Sequence, residues 1–438
     1  MLRYVLIILA CFTLPVRAEI AIQEVTSQGG HKAWLVEEHS LPFVALEISF
    51  RGGTTLDRPG KEGAVDLMVS LLEEGAGDLD ARGFARASES LAASFGFRAH
   101  RDSISVSAQF LTENRDEAMA LLRAALTTPR FDPDAIERVR AQLLSSIRSR
   151  ATDPGEILAL AWDAKVFGDH PYGLQQGGSE ETVAALRRED LLQAYQDTMT
   201  LDRIYVGAVG DITADELSAL LDDLLSDLPE TGAAFPGRAE LGFDASQTVI
   251  PYDSPQSIVR FGHKGLRRDH PDFFPAFLVS EIMGGLGSDG RLMHEVREKR
   301  GLTYGVGAYL FELDYAEGFV GQFSSQNANI PEAIDVVRAE WARMAQDGVT
   351  QEELNRAKTY LTGSYPLRFD GNGTIANILV GMQMEELSAE YITTRNDKVN
   401  AVTLEEANRV AKQLFRPEEL TFMIVGSPEG LPEQPVAN

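Results

Sequence analysis

The chain has 438 residues, 44% apolar and 24% charged, the balance of a water-soluble globular protein with room for more than one domain. With 66 acidic against 40 basic side chains the net charge is −26, which repels phosphate backbones and argues against nucleic-acid binding, while a field of that sign is compatible with steering cationic peptides. The single cysteine, Cys11, lies in the N-terminal apolar run, so neither a disulfide framework nor thiol chemistry is expected of the remainder.

Residues 1–18, MLRYVLIILACFTLPVRA, have the makings of a signal peptide: Arg3 and the free amine, then a nearly all-apolar run, then small residues at Val16 and Ala18. Cleavage is expected after Ala18, with export to the periplasm if the source is Gram-negative. The run is too short to span a bilayer, and no later stretch approaches the roughly 18 apolar residues that spanning needs, so no stable membrane insertion is expected.

Further along, residues 43–50 and 103–111 alternate in the manner of half-buried strands. Asp80 is placed to cap a helix that the glycine at Gly96 would stop, and Asp132-Pro133 opens another helix of about 18 residues. His170-Pro171-Tyr172-Gly173 follows a helix and opens a loop. The segment from Val183 to Gly210 then returns as Val399 to Gly426, each an amphipathic helix followed by a short apolar strand closed by Val-Gly, at a constant offset of 216 (399 − 183 and 426 − 210). Less closely, Phe43–Phe50 returns as Ser257–Gly265. A period this long indicates a duplicated domain rather than a solenoid. Pro229, Gly232, Pro236 and Gly237 mark a linker, giving units at 19–235 and 241–432. Each is expected to be α+β, an antiparallel-rich sheet packed by helices.

Metal and nucleophile chemistry is hard to find. None of the seven histidines, His31, His39, His100, His170, His263, His270 and His294, stands four residues from another. His294-Glu295-Val296-Arg297-Glu298 starts like a zinc-binding HExxH but ends in Glu298, which makes it an exposed charged helix. No serine-nucleophile elbow, phosphate loop or dinucleotide fingerprint occurs.

Two blocks carry a resemblance. LEISFRGGTTLDRPGKEGAVDLMVSLLEEG (46–75) is similar to the opening of the pitrilysin/insulinase family of zinc peptidases, where a strand and a Gly-containing turn lead to HxxEH on a helix. There, two histidines one helical turn apart hold the metal, and the glutamate activates its water. Here the five positions run from Asp66 to Ser70. Val69 stands where the glutamate belongs and Ser70 where the second histidine belongs, and no glutamate occurs from Arg138 to Pro154, around Ser146, where the third ligand is expected. The second block, GGLGSDGRLMHEVREKRGLTYGVGAY (284–309), resembles the family's C-terminal half, in which an arginine and a tyrosine seven residues apart face the substrate. Arg297 and Tyr304 have that spacing, and a guanidinium and a phenol aimed at one carbonyl would stabilise charge developing on its oxygen. The resemblance implies two tandem homologous domains forming half of a clam-shell. It implies a non-catalytic subunit with no zinc of its own, an HxxEH-bearing sister chain that holds the zinc, and peptide substrates in a chamber between them. The alternative is a catalytically inert structural or peptide-holding homologue.

Overall fold

The computed structural model describes residues 21–431; Cys11 and the signal-peptide reading of residues 1–18 fall outside the described residues. The first half runs β1 (Gln23–Thr26), β2 (Lys32–Glu37), β3 (Phe43–Arg51), α1 (Ala64–Ser70), the small hairpin β4 (Gly75–Ala76) and β5 (Leu79–Asp80), then α2 (Ala81–Ser90), β6 (Ser94–Ala99) and β7 (Ser103–Leu111). It continues with α3 (Arg115–Thr127), α4 (Pro133–Arg150), α5 (Pro154–Phe167), α6 (Glu180–Ala185), α7 (Arg188–Thr198), β8 (Ile204–Gly210) and α8 (Ala214–Leu225). The second half runs β9 (Gln247–Pro251), β10 (Gln256–Lys264), α9 (Phe273–Ser280), β11 (Val306–Leu313), β12 (Ala316–Gln326) and α10 (Ile330–Asp347). It ends with α11 (Gln351–Ser364), α12 (Asn372–Met384), α13 (Tyr391–Ala401), α14 (Leu404–Leu414) and β13 (Thr421–Gly426).

The repeat read from the sequence is an architectural repeat. One sheet has the order β1-β2-β8-β3-β7-β6 and the other β9-β13-β10-β12-β11, so apart from β1 the two are ordered alike. In both, the only parallel pair is the first shared one, β2 with β8 and β9 with β13. The 216-residue offset superposes α7 on α14 and Gly210 on Gly426, which both take positive φ, 139° and 150°. A Cβ on Gly210 would lie 2.3 Å from the Phe43 carbonyl oxygen, and one on Gly426 would lie 2.1 Å from Ser257 Oγ, so the Val-Gly ending is required where the neighbouring strand crosses.

Alternation along each strand sends one set of side chains to a helix-covered core. In the first half Leu46, Ile48 and Phe50 meet Leu67 and Met68 of α1, Leu122 of α3 and Leu217 of α8. In the second, Phe261 and Phe422 meet Trp341 of α10 and Val410 of α14. Asp80 caps α2 as expected, accepting from the Gly83 amide at 2.7 Å. That helix stops at Ser90 rather than Gly96, because Ala92 takes positive φ and the chain turns into β6, where Gly96 is mid-strand.

The opposite faces are covered by exchange. Helix α12 of the second half lies on the outer face of the first sheet, burying Ala376, Leu379 and Met382 against Trp34, Val36, Ala45 and Val209. Helix α5 of the first half lies on the outer face of the second sheet, burying Leu158, Trp162 and Val166 against Met423 and Val425. Each half completes the other.

Candidate functional site

The five positions matching HxxEH lie on the two-turn helix α1. Leu67, Met68 and Val69 are sealed in the core, so the residue where a general base would stand is a packing residue. Asp66 and Ser70 are half-buried. Beside Asp66 stands Arg150 of α4: a Cβ on Gly177 would sit 2.9 Å from Asp66 Oδ2 and 4.0 Å from Arg150 Nη2. Burial pushes the Asp66 carboxyl up, and the Arg150 guanidinium opposes that shift. A resident guanidinium repels a second cation, valine has no donor, and serine is a poor zinc ligand, so these side chains do not fit a zinc ion. Among the described residues, no group of three or more His, Cys, Asp or Glu side chains is arranged to hold a metal. On α4, where the third ligand was sought, Gln142, Ser145, Ser146, Ser149 and Arg150 line an open groove of about 610 Å³.

Arg297 and Tyr304 lie at the two ends of one reversal. Residues Met293–Glu298 form a π-helical turn, a correction to the α-helix expected there, and this wider turn is held from below. Glu295 is buried and bonds Lys299 Nζ (2.7 Å) and Arg300 Nη1 (2.8 Å). Burial opposes its ionisation, but those two bonds hold its carboxyl at about 2. His294 and Glu298 pair on the surface at 2.8 Å, as the exposed-helix reading expects of them. Arg297 points outward and makes no side-chain hydrogen bond or ion pair among the described residues.

The chain then turns at Gly301, whose φ is positive, and β11 starts at Val306. The connecting loop is pinned to β12. Thr303 Oγ1 donates to the Ser324 carbonyl at 2.7 Å, and Ser325 Oγ donates to the Leu302 carbonyl. Tyr304 projects from that anchored loop and, at 85% exposure, is the most exposed large apolar or aromatic side chain among the described residues. Upstream, Arg291 ties the block to α11 through two bonds to Glu353, 2.7 and 2.8 Å. Both side chains are therefore presented to solvent by a braced framework.

His170-Pro171-Tyr172-Gly173 is a joint between the halves. His170 Nδ1 accepts from the Tyr172 amide (3.1 Å), leaving Nε2–H to donate to the Gly237 carbonyl (2.9 Å). Tyr172 donates its hydroxyl to Asp102 (2.6 Å) and accepts from the Tyr315 amide in the β11–β12 turn (3.2 Å). The sequence assigns this segment to loop geometry, and the bonds across the halves are what that geometry serves. His263 is a core residue: Trp341 Nε1–H donates to its Nε2 at 2.8 Å, and burial first of all pushes it down to about 4, so it is neutral.

Residues 33–177 match the family model described as Insulinase (Peptidase family M16), and residues 185–361 match Peptidase M16 inactive domain. A Helicobacter pylori protein named non-peptidase homolog YmxG is 27% identical over 89% of this chain and 90% of its own length. A Schizosaccharomyces pombe protein named probable mitochondrial-processing peptidase subunit beta is 25% identical over 72% of this chain and 71% of its own. A solved Pseudomonas fluorescens structure described as peptidase M16 inactive domain superposes with a TM-score of 0.87 at 26% identity, covering 95% of this chain and 100% of that one.

Proposed function

Since the chain belongs to the insulinase family of peptidases, as an inactive homologue in which the HxxEH positions are lost, we propose that it is the non-catalytic subunit of a two-chain zinc peptidase. The sister chain, bearing HxxEH, would hold the zinc. This chain closes the peptide chamber and donates hydrogen bonds from Arg297 and Tyr304 to the scissile carbonyl oxygen. The reading is carried by the Arg297/Tyr304 reversal: two donors left unpaired and solvent-facing on a framework pinned by Glu295, Arg291 and Thr303. It is supported by the S. pombe relative, whose name makes it one subunit of an assembly. With a Gram-negative source, signal-peptide cleavage after Ala18 would put the mature protein in the periplasm with its N-terminus at Glu19, which N-terminal sequencing of the exported protein checks.

Co-purification from the native source, followed by metal analysis and peptide-hydrolysis assays, tests the assignment. The isolated chain should hold no stoichiometric zinc and cleave nothing, and adding the sister chain should give zinc-dependent hydrolysis. In that complex Arg297→Ala or Tyr304→Phe should lower kcat by roughly 10²-fold, the scale of losing one oxyanion donor. Tight zinc together with peptide cleavage in the pure chain would overturn the proposal. A second reading, a peptide-holding homologue without a catalytic partner, is favoured by the name of the H. pylori relative. It predicts that both substitutions are silent.

A further inference from the structure

At one outer-face position the duplicated halves carry opposite charges. The β3 and β10 strands correspond at an offset of 213 (256 − 43 and 264 − 51), which makes Glu47 the counterpart of Arg260. Both lie mid-strand on the outer face, away from the helical core. The exchanged helices correspond at an offset of 218, from Pro154 and Asn372 at their starts to Gly168 and Glu386 just past their ends, both with φ of 54°. Asp163 of α5 is therefore the counterpart of Gly381 of α12.

In the second half the charge is answered. Arg260 donates to Gln322 Oε1 at 3.0 and 3.3 Å, and the Asp163 carboxylate stabilises it from α5. In the first half it is not. Glu47 is 9% exposed and makes no hydrogen bond or ion pair among the described residues. The α12 residue that would face it is glycine, and a Cβ there meets no atom within 4 Å. Among the described residues the cation acting on it is Arg98, an exposed residue on the edge strand β6.

The strand register shows what surrounds it. Gly96, Ser107, Glu47 and Gly207 form one row across β6, β7, β3 and β8. Over Gly207 the row is closed by α12, whose Ala376 carbonyl oxygen would lie 2.7 Å from a Cβ there. Toward Ser107, which is exposed, and Gly96 it is open. The result is a trench with small walls around a carboxylate that has no hydrogen-bond partner among the described residues, with Arg98 toward its open edge. A cationic donor entering the trench would supply that partner.

We propose that this trench is a binding subsite for the guanidinium or ammonium group of a basic residue in a peptide, with Glu47 as the anionic partner. The subsite does not depend on a sister chain, so the full-length chain alone tests it. A fluorescein-labelled peptide with one central arginine and its citrulline isostere are compared by anisotropy at about 0.15 M salt, where exposed charges more than ~8 Å apart are largely screened. The arginine peptide should bind at least about tenfold tighter, the scale of a charge-assisted hydrogen bond. Glu47→Gln should abolish that preference, and Glu240→Gln, an exposed acid elsewhere, should leave it intact. Gly381→Arg, which builds a counter-ion into the open space, should block the arginine peptide without lowering Tm. Equal binding of the two peptides by the unmodified chain, or a preference surviving in folded Glu47→Gln, overturns the subsite and leaves only attraction to an acidic surface.

Discussion

The Arg291–Glu353 pair shows how the Arg/Tyr reversal is held. Its side chains are 11% and 18% exposed, and Arg291 also donates to the Gly348 carbonyl. Arg291→Ala leaves Glu353 buried without its partner and should cost about 3–5 kcal/mol in urea unfolding. Burial raises the Glu353 carboxyl, but bonds from Arg291 and from Thr350 hold it at about 2. A folded-state value below the unfolded one gives stability that is complete above about pH 4.5 and drains away as pH falls toward 2. Glu47 has the opposite sign: burial pushes it to about 7, so its folded form binds the proton more tightly. Stability linked to Glu47 therefore declines as pH rises from about 4.5 through 7. Thermal melts of Glu47→Gln should show a gain over the unmodified chain near pH 8 and none near pH 4. The vacant metal chemistry was legible residue by residue, since Val69 has no donor and Ser70 only a poor one whatever the fold. The isolation of Glu47 was not, because it depends on what a helix more than 300 residues away places above it.

The two exchanged helices explain where sequence reading stopped at the level of elements. Strand β7, the cap at Asp80 and the start of α4 were legible because a solvent-facing side or a local cap sets each of them, whereas β3 is not the half-buried strand its alternation predicts, since Ala45, Glu47 and Ser49 on its outer face are buried as well. Helices α5 and α12 are rich in apolar residues without one clear stripe, as in ILALAW and IANILVGM, and each lies on the outer face of the opposite half's sheet rather than on its own half's core. Trp162 is 2% exposed and packs on Gly262, so Trp162→Ala should destabilise by about 3–5 kcal/mol and, if the halves melt together, should shift a single transition rather than split it. Gly207→Ala should cost about 1–3 kcal/mol although it adds only one methyl group, since the obstacle is the backbone carbonyl of Ala376. The π-turn at Met293–Glu298 went unread as well: a helix widened by one residue leaves no mark on apolar spacing over so short a run.

At the scale of the molecule, the repeat predicts two units and the structure shows two units that are mutually incomplete. Residues 19–235 expressed alone would leave Trp34, Val36 and Val209 without α12, and α5 without a sheet to cover. Such a fragment should bind hydrophobic dyes and resist crystallisation, while co-expression with residues 236–438 should restore a native circular dichroism spectrum. The Tyr172–Asp102–Tyr315 joint and the Ala239 amide bonded to the Tyr315 carbonyl at 2.9 Å add polar seams to the same contact. Trading helices also changes what the connecting thread is for. Because each half is clasped by the other, the peptide around Gly237, where a side chain would meet nothing, serves as a tether that raises local concentration rather than as a strut. A protease nick there should leave two fragments that stay together through gel filtration, and a gene split at that point should still yield a working pair of polypeptides.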